Sequence, residues 1–317
     1  MKSKQSPAYH LRTNKAVERV LFLELLRKLD GNIPVGKCKY VSLGGPYLED
    51  FLMIHGAFGN RDMVSLEIKE HVRSRQRINQ PHSQVALTLD STSNFVEKYQ
   101  TGRKPLLVWF DYEWPDWKKQ IAESCELVQL LPQMSIFKIT LSGKTDWLGG
   151  EAKDPLPDRA KKVTEMFGDY GNFTAADINE ESICDTLYKI LRAAIAEAVP
   201  DAAAKAVRTL ASYQYNDGTP ILTVIMVIGP LGEIEKIEAK LRSWPFANLK
   251  WSNPQQINIP HLSLRERLLV DRLLPNASAK LLVKKFQLCE KYADSIRLMK
   301  NYIQFYGQVP QFLRVSF

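Results

Sequence analysis

The sequence lacks the features that mark membrane-spanning, disulfide-stabilised or metal-chelating proteins. Its longest apolar stretch, residues 221–229, is far shorter than the roughly 20 residues that cross a bilayer. The five histidines form no HExxH or HxH pattern, and no two cysteines are spaced as CxxC. We therefore expect no metal ion, no membrane association, a cytoplasmic location and four free thiols: Cys38, Cys125, Cys184 and Cys289.

Acidic residues are scarce in the last quarter of the chain. The whole chain carries a net charge of +8, and residues 231–317 hold 14 basic and 7 acidic side chains, which accounts for +7 of it. A basic segment of this kind contacts nucleic acid or an acidic protein partner, or it forms a solvated helical face. All three interpretations stay open from the sequence.

The 317 residues, 45% of them apolar, are enough for a sizeable core and about two domains. We predict a helical N-terminal arm over residues 1–37 and a central domain over 38–230, with an insertion near 143–180. A basic, mainly helical segment follows over 231–317.

Short β-rich runs alternate with helical stretches in the central part of the chain. This alternation predicts βαβ units and a largely parallel sheet. An Asn-Asp-Gly turn at 216–218 predicts a hairpin at the end of the sheet, after an alanine-rich helix expected over 181–210. The expected parallel strands are 39–43, 63–67, 84–89, 105–110 and 135–141.

Small or acidic residues stand where four of these strands end. In open α/β sheets, ligands bind beyond the carboxyl ends of the strands, where glycine lets the backbone approach a ligand closely. These residues are therefore the candidate site: Gly44, Gly45 and Pro46 after the first strand, Glu67 at the end of the second, Asp90 and Ser91 after the third, and Asp111 after the fourth.

Three of these segments resemble a known superfamily. The stretches YVSLGGPY at 40–47, VSLE at 64–67 and VWFDY at 108–112 are similar to motifs of class I S-adenosylmethionine-dependent methyltransferases. The resemblance implies an α/β fold: a Rossmann-like, mostly parallel sheet with a terminal antiparallel hairpin and with helical N-terminal and C-terminal additions. It also implies S-adenosylmethionine as cofactor. Within the superfamily the chain looks most like bacterial O-methyltransferase-like proteins of defence or mobile-element neighbourhoods.

The resemblance implies that Gly44, Gly45 and Pro46 form the loop against the cofactor. Glu67 would accept hydrogen bonds from both ribose hydroxyls. For Glu67 a helix-capping role is the structural alternative. The glycine pattern departs from that of the superfamily, because Pro46 and Leu48 stand at two of its usual glycine positions.

The remaining candidates follow the third and fourth strands. The resemblance places Asp90 or Ser91 near the adenine amino group and Asp111 near the sulfonium, as the catalytic residue. The alternative for the cluster after Asp111 is structural, with Asp116 as the N-cap of the next helix.

The resulting functional prediction is a methyltransferase whose substrate the sequence does not name. The alternative is a catalytically degenerate nucleotide- or nucleic-acid-binding module of a bacterial antiphage defence assembly. A third hypothesis is a structural subunit whose basic C-terminal helices dock another chain. The Asn/Asp-Pro-Pro-Tyr/Phe motif of amino-methylating DNA enzymes is absent from the sequence.

The C-terminal segment contains the spacing of a capping box at Ser263 and Glu266, which predicts the start of a helix. We expect its leucines to face the core and its basic side chains to face outward. The leucines concerned are Leu264, Leu268, Leu269, Leu273 and Leu274.

Overall fold

The computed structural model describes residues 12–149 and 154–310. Eight strands lie in this part of the chain: β1 (Lys39–Ser42), β2 (Met63–Glu67), β3 (Ala86–Leu89), β4 (Leu106–Asp111), β5 (Ser135–Ser142), β6 (Ala206–Asn216), β7 (Pro220–Gly229) and β8 (Gln255–Ile257). The helices are α1 (Thr13–Leu29), α2 (Glu49–Phe58), α3 (Glu70–Asn79), α4 (Thr92–Lys98), α5 (Trp117–Leu130), α6 (Leu156–Phe167), α7 (Ala175–Ile178), α8 (Ile183–Ala198), α9 (Leu231–Leu241), α10 (Leu264–Asp271), α11 (Ala279–Lys285) and α12 (Tyr292–Phe305).

The strands form one sheet in the order β3-β2-β1-β4-β5-β7-β6-β8. Strands β1 to β5 pair in parallel, and β7 runs antiparallel to β5. The order moves outward from β1 to β3 and then resumes at β4, so the switch point lies between β1 and β4. This topology confirms the predicted Rossmann-like α/β class, with a mostly parallel sheet that ends in an antiparallel hairpin.

The two faces of the sheet differ in polarity because successive side chains alternate between them. Val41, Val108 and Phe137 lie on one face, in an apolar core that includes buried side chains of α5 and α8. The other face carries buried polar residues, namely Ser42, Ser65, Lys138, Thr140 and Thr223. Glu67 and Asp111 lie on the same polar face. Glu67 is two residues beyond Ser65, and Asp111 is two residues beyond Trp109, which lies opposite Ser42.

A buried lysine and a tryptophan occupy the middle of the polar face. Lys138 lies opposite Trp109 in the register of β4 and β5, and its Nζ atom is 3.3 Å from the centroid of the indole ring. The indole Nε1 donates a hydrogen bond of 3.2 Å to Thr140 Oγ1. A cation over an indole face is favourable, and more so away from water.

The chain divides into two compact units. The larger comprises Leu23–Gln214 and Gly218–Gln255 and holds the parallel strands. The smaller comprises the described parts of Met1–Phe22 and Gln256–Phe317 together with Tyr215–Asp217. The domain limits predicted from the sequence stay a prediction.

The prediction of a helix over residues 181–210 is wrong in its second half. Helix α8 ends at Ala198, and β6 begins at Ala206. Pro200 has no backbone N–H and ends the helical pattern. Ala206, Leu210 and Ala211 are buried in the sheet, so tertiary packing outweighs the helix propensity of the alanines.

The orientation predicted for the C-terminal leucines is wrong for those of α10, whereas Leu273 and Leu274, which follow the helix, are half-buried. Leu264, Leu268 and Leu269 on α10 are exposed, whereas Val270 is buried. The capping box itself is confirmed, because Ser263 Oγ accepts from Glu266 N and Glu266 Oε2 accepts from Ser263 N. Three leucines and two arginines in a helix of eight residues do not specify which side of the helix is covered.

Candidate functional site

The candidate site begins where β1 ends and the chain enters residues 43–48, which we call the glycine loop. Gly44, Gly45 and Leu48 have φ values of 66°, 54° and 50°, in the left-handed region. A Cβ atom on Gly44 would lie 2.5 Å from Leu48 Cδ2 and 2.8 Å from Ser65 Oγ. Both the backbone angle and the lack of space therefore require glycine at position 44.

Helix α3 holds the glycine loop in place through its side chains. Gln76 Nε2 donates to the carbonyl oxygen of Gly45 at 2.8 Å, and Asn79 Nδ2 donates to that of Pro46 at 3.0 Å. The Arg75 guanidinium lies 4.8 Å from the centroid of the Tyr47 ring. We did not predict these contacts from the sequence. The feature of the sequence that indicates them is a pair of amide side chains, Gln76 and Asn79, three residues apart on a helix rich in arginine.

Two buried polar atoms near the glycine loop have no hydrogen-bond partner in the described part of the chain. They are Ser65 Oγ and Gln76 Oε1, on side chains that are fully buried. An unsatisfied buried polar group costs about 1–3 kcal/mol, so it is rare in folded proteins. Ser65 Oγ lies against the position that a Cβ atom of residue 44 would take, and Gln76 donates to the Gly45 carbonyl, so both side chains belong to the packing of the glycine loop.

Glu67 is the last residue of β2 and is half-buried. Its Oε1 accepts a hydrogen bond of 2.8 Å from the backbone N–H of Lys69. Burial raises the pKa of the Glu67 carboxyl, and the negative charge of Glu113 raises it further, while hydrogen bonds from the backbone of Lys69 and Ile68 act in the opposite direction. Glu113 follows β4, so it adds a second carboxylate that the sequence analysis did not include.

Asp90 and Ser91 follow β3 and hold the start of α4. Ser91 Oγ accepts from Asn94 N at 3.1 Å, and Asp90 Oδ1 accepts from Asn94 Nδ2 at 2.7 Å. The hydrogen bond from the Asn94 side chain, followed by one from the backbone of Ser91, lowers the pKa of Asp90. These contacts give both residues a structural role as helix caps, and the predicted contact with adenine stays a prediction.

Asp111 is the last residue of β4, where it lies half-buried opposite Thr140. The alternative role of the residues after Asp111, which is to cap the next helix, is only partly confirmed. Asp116 occupies the N-cap of α5, but its side chain makes no capping hydrogen bond. Trp117 is buried and its Nε1 donates to the carbonyl oxygen of Ser142 at 2.8 Å. The catalytic role of Asp111 stays a prediction.

A buried carboxylate on α5 joins the end of β4 to the start of α4. Glu123 accepts hydrogen bonds of 2.8 Å from Tyr112 Oη and from Thr92 Oγ1, and a short one from the Ser93 hydroxyl. Burial, and then the charge of Glu123, raises the pKa of Tyr112 well above its ordinary value. The phenol therefore stays protonated and acts as a donor that fixes the residue after Asp111.

The structure brings the predicted residues to one edge of the sheet. Ser42 lies opposite both Ser65 and Trp109, and Glu67 lies opposite Leu89, so β1, β2, β3 and β4 end side by side. Among residues 12–149 and 154–310, no group of three or more histidine, cysteine or acidic side chains could hold a metal ion. No helix in the same ranges is long and apolar enough to cross a membrane.

Several solved structures are similar to the chain. Trm1 from Pyrococcus horikoshii with S-adenosyl-L-methionine is 13% identical over 91% of this chain and 76% of that one, with a TM-score of 0.46. An O-methyltransferase from Bacillus cereus is 14% identical over 72% and 84%, with a TM-score of 0.34. A probable spermidine synthase from Corynebacterium glutamicum is 12% identical over 82% and 83%, with a TM-score of 0.39.

No curated protein sequence matches the chain. A family model does, and it spans almost the whole sequence. It is described as "Putative O-methyltransferase" and covers residues 7–317, which include the glycine loop, Glu67, Asp111 and the basic C-terminal segment. The methyltransferase resemblance noted in the sequence is thereby confirmed, and the chain belongs to this O-methyltransferase family.

Proposed function

We propose that the chain is an S-adenosylmethionine-dependent methyltransferase that binds its cofactor across the carboxyl ends of β1, β2 and β4. The observation that carries the proposal is the glycine loop at the switch point of the sheet, next to the half-buried carboxylate of Glu67. Membership of an O-methyltransferase family supports the same activity.

Each part of this edge has a chemical task in the proposal. When bound, S-adenosylmethionine supplies a methyl group on a positively charged sulfur atom, which makes that methyl electrophilic. The glycine loop lets backbone atoms approach the cofactor, and the Glu67 carboxylate accepts hydrogen bonds from ribose hydroxyls. Asp111, on the polar face at the end of β4, orients the acceptor or offsets positive charge.

We further propose that the methyl acceptor is an oxygen atom, as the family description indicates. A hydroxyl acceptor must be oriented and must lose a proton when it is methylated. Asp111 ends β4 and Glu113 lies two residues beyond it, so two carboxylates are available at this end of the strand to accept a hydrogen bond from such a hydroxyl.

A binding module without turnover is the second candidate function. The feature that favours it is the departure of the glycine loop from the superfamily pattern, with a proline at position 46 and a buried leucine at position 48 that adopts a left-handed backbone. Such a module would retain a nucleotide or nucleic acid within a bacterial antiphage defence assembly in the cytoplasm, as the sequence analysis predicts.

Thermal unfolding of the full chain with added ligands tests the cofactor. We expect S-adenosylmethionine and S-adenosylhomocysteine each to raise the melting temperature in a concentration-dependent way, because a ligand that binds only the folded state stabilises it. ATP and NAD, which share the adenosine group, serve as controls. A shift with ATP alone would favour the second candidate, and no shift with any of these four ligands would contradict the first.

A further inference from the structure

Helix α10 presents its apolar side chains to solvent. The exposed fractions of Leu264, Leu268 and Leu269 are 64%, 48% and 43%. Val270 is the buried residue of this helix. The three leucines lie within six residues of one short helix, and exposed apolar side chains that cluster in this way mark interaction sites.

Polar contacts on the inner side fix this orientation. The Arg267 guanidinium donates to the carbonyl oxygen of Val309 at 2.8 Å and to that of Pro310. It also lies 3.5 Å from the Asp271 carboxylate, which accepts a hydrogen bond of 2.7 Å from Tyr302 Oη. Turning the leucines inward would break this network and expose Val270. These contacts therefore hold the leucines in their outward position.

Two of the exposed leucines, Leu268 and Leu269, line a groove of about 390 Å³. Its lining combines apolar and cationic side chains: Arg265, Leu268, Leu269, Arg272, Leu273 and Lys285. In the described ranges of the chain, none of the three cations pairs with an acidic side chain. The groove therefore offers apolar contact in its centre and uncompensated positive charge around it.

We propose that this groove, which we call the α10 groove, binds an acidic amphipathic helix of a partner protein. Leucine-type side chains of the partner would enter between Leu268 and Leu269, and its flanking carboxylates would meet the three cations. A helix that lays its apolar face into a hydrophobic groove is a recurring mode of recognition. Charge complementarity at the rim selects an acidic partner over a basic one.

The lining of the groove favours an acidic helix over nucleic acid and over a second copy of the chain. Nucleic acid is bound chiefly through its phosphates, to which exposed leucines contribute nothing. A second copy of the same groove would bring three more cations against Arg265, Arg272 and Lys285, which is unfavourable. An acidic helix satisfies both the apolar and the charged part of the lining.

The test uses the full chain and a synthetic peptide as probe. The peptide is a labelled 18-residue helix with leucines along one face and glutamates beside them, and a matched peptide carries lysines in place of the glutamates. Binding is measured by fluorescence anisotropy, with a single-stranded RNA and a duplex DNA as further probes. Two double variants change the groove: Leu268→Gln with Leu269→Gln, and Arg265→Gln with Arg272→Gln.

Matched controls change equally exposed residues elsewhere. Leu52→Gln replaces an exposed leucine of α2, and Lys161→Gln replaces an exposed lysine of α6. We expect the acidic peptide to bind, the basic one not to bind, and each double variant to weaken binding by at least about tenfold, or roughly 1.4 kcal/mol. Both controls should bind like the unchanged protein, and circular dichroism should show all variants folded.

Several results would overturn the proposal, and four of them concern the peptides and the leucines. They are failure of the acidic peptide to bind, equal binding of the basic peptide, binding that the leucine variants leave unchanged, and a dimer of the chain that the leucine variants dissociate. Tight binding of RNA or DNA that falls only with the arginine variants would assign the groove to nucleic acid instead.

Discussion

Glu67 is the side chain on which the proposed cofactor site depends most. If its carboxylate holds the ribose, Glu67→Ala removes charge-assisted hydrogen bonds. The affinity for S-adenosylhomocysteine should then fall by roughly 30–150-fold, or about 2–3 kcal/mol. Calorimetric titration measures this change, with Glu165→Ala on an exposed part of α6 as control. Equal affinities of the Glu67 variant and the unchanged protein would remove Glu67 from the site.

The same carboxyl predicts a pH dependence of binding. Because burial raises the pKa of Glu67, the group takes up a proton at a higher pH than an exposed glutamate does. A protonated carboxyl loses charge-assisted acceptance, so affinity for S-adenosylhomocysteine should decrease as the pH falls through this raised pKa. Titrations of Glu67→Gln over the same pH range should lack this component, since glutamine does not ionise. An identical pH profile in the two proteins would contradict the assignment.

Gly44 has a structural requirement that can be tested apart from binding. Alanine there would meet Leu48 and Ser65 at 2.5 Å and 2.8 Å while adopting a positive φ. We expect Gly44→Ala to lower the free energy of unfolding by about 1–3 kcal/mol in a urea titration. Gly56→Ala is the control, because Gly56 lies within α2 with no atom near its missing Cβ.

The control has an opposite expected sign. Alanine is a better helix former than glycine by about 0.5–1 kcal/mol, so Gly56→Ala should stabilise the protein slightly. A Gly44→Ala protein as stable as the unchanged one would mean that the glycine loop relaxes freely.

Helix α3 is the element that positions the glycine loop. Gln76→Ala removes the hydrogen bond to the Gly45 carbonyl, so the loop should open more often. We expect faster hydrogen exchange at the amides of residues 44–48 and weaker binding of S-adenosylhomocysteine, by about 5–30-fold for a loss of about 1–2 kcal/mol. Ile78→Ala, an exposed position of the same helix, is the control. Unchanged exchange in the loop would show that α3 does not hold it.

Elements differ in how far their sequence determines them. The parallel strands follow from short apolar runs that end in glycine or an acidic residue, and their positions are confirmed within a few residues. Strand β6 does not follow from its local sequence, because residues 202–211 are rich in alanine. Its strand conformation comes from pairing within the sheet. The orientation of α10 depends on contacts of Arg267 with residues 309 and 310, which local periodicity does not encode.

The architecture of the molecule explains why the candidate site could be predicted in part. Strand order places the ends of β1, β2 and β4 together, so residues at strand ends become neighbours without any knowledge of side-chain contacts. That reasoning located Gly44, Glu67 and Asp111. It could not identify Gln76 or Glu123, which act from helices that pack against the edge through long-range hydrogen bonds.

A crystal structure of the full chain grown with S-adenosylhomocysteine tests the central claim most directly. The account predicts that the ligand lies across the carboxyl ends of β1, β2 and β4. Its ribose hydroxyls should lie within hydrogen-bond distance of the Glu67 carboxylate, and its amino-acid part should lie against the glycine loop. A ligand bound elsewhere, or a structure without ligand at a concentration that saturates binding in solution, would contradict the account.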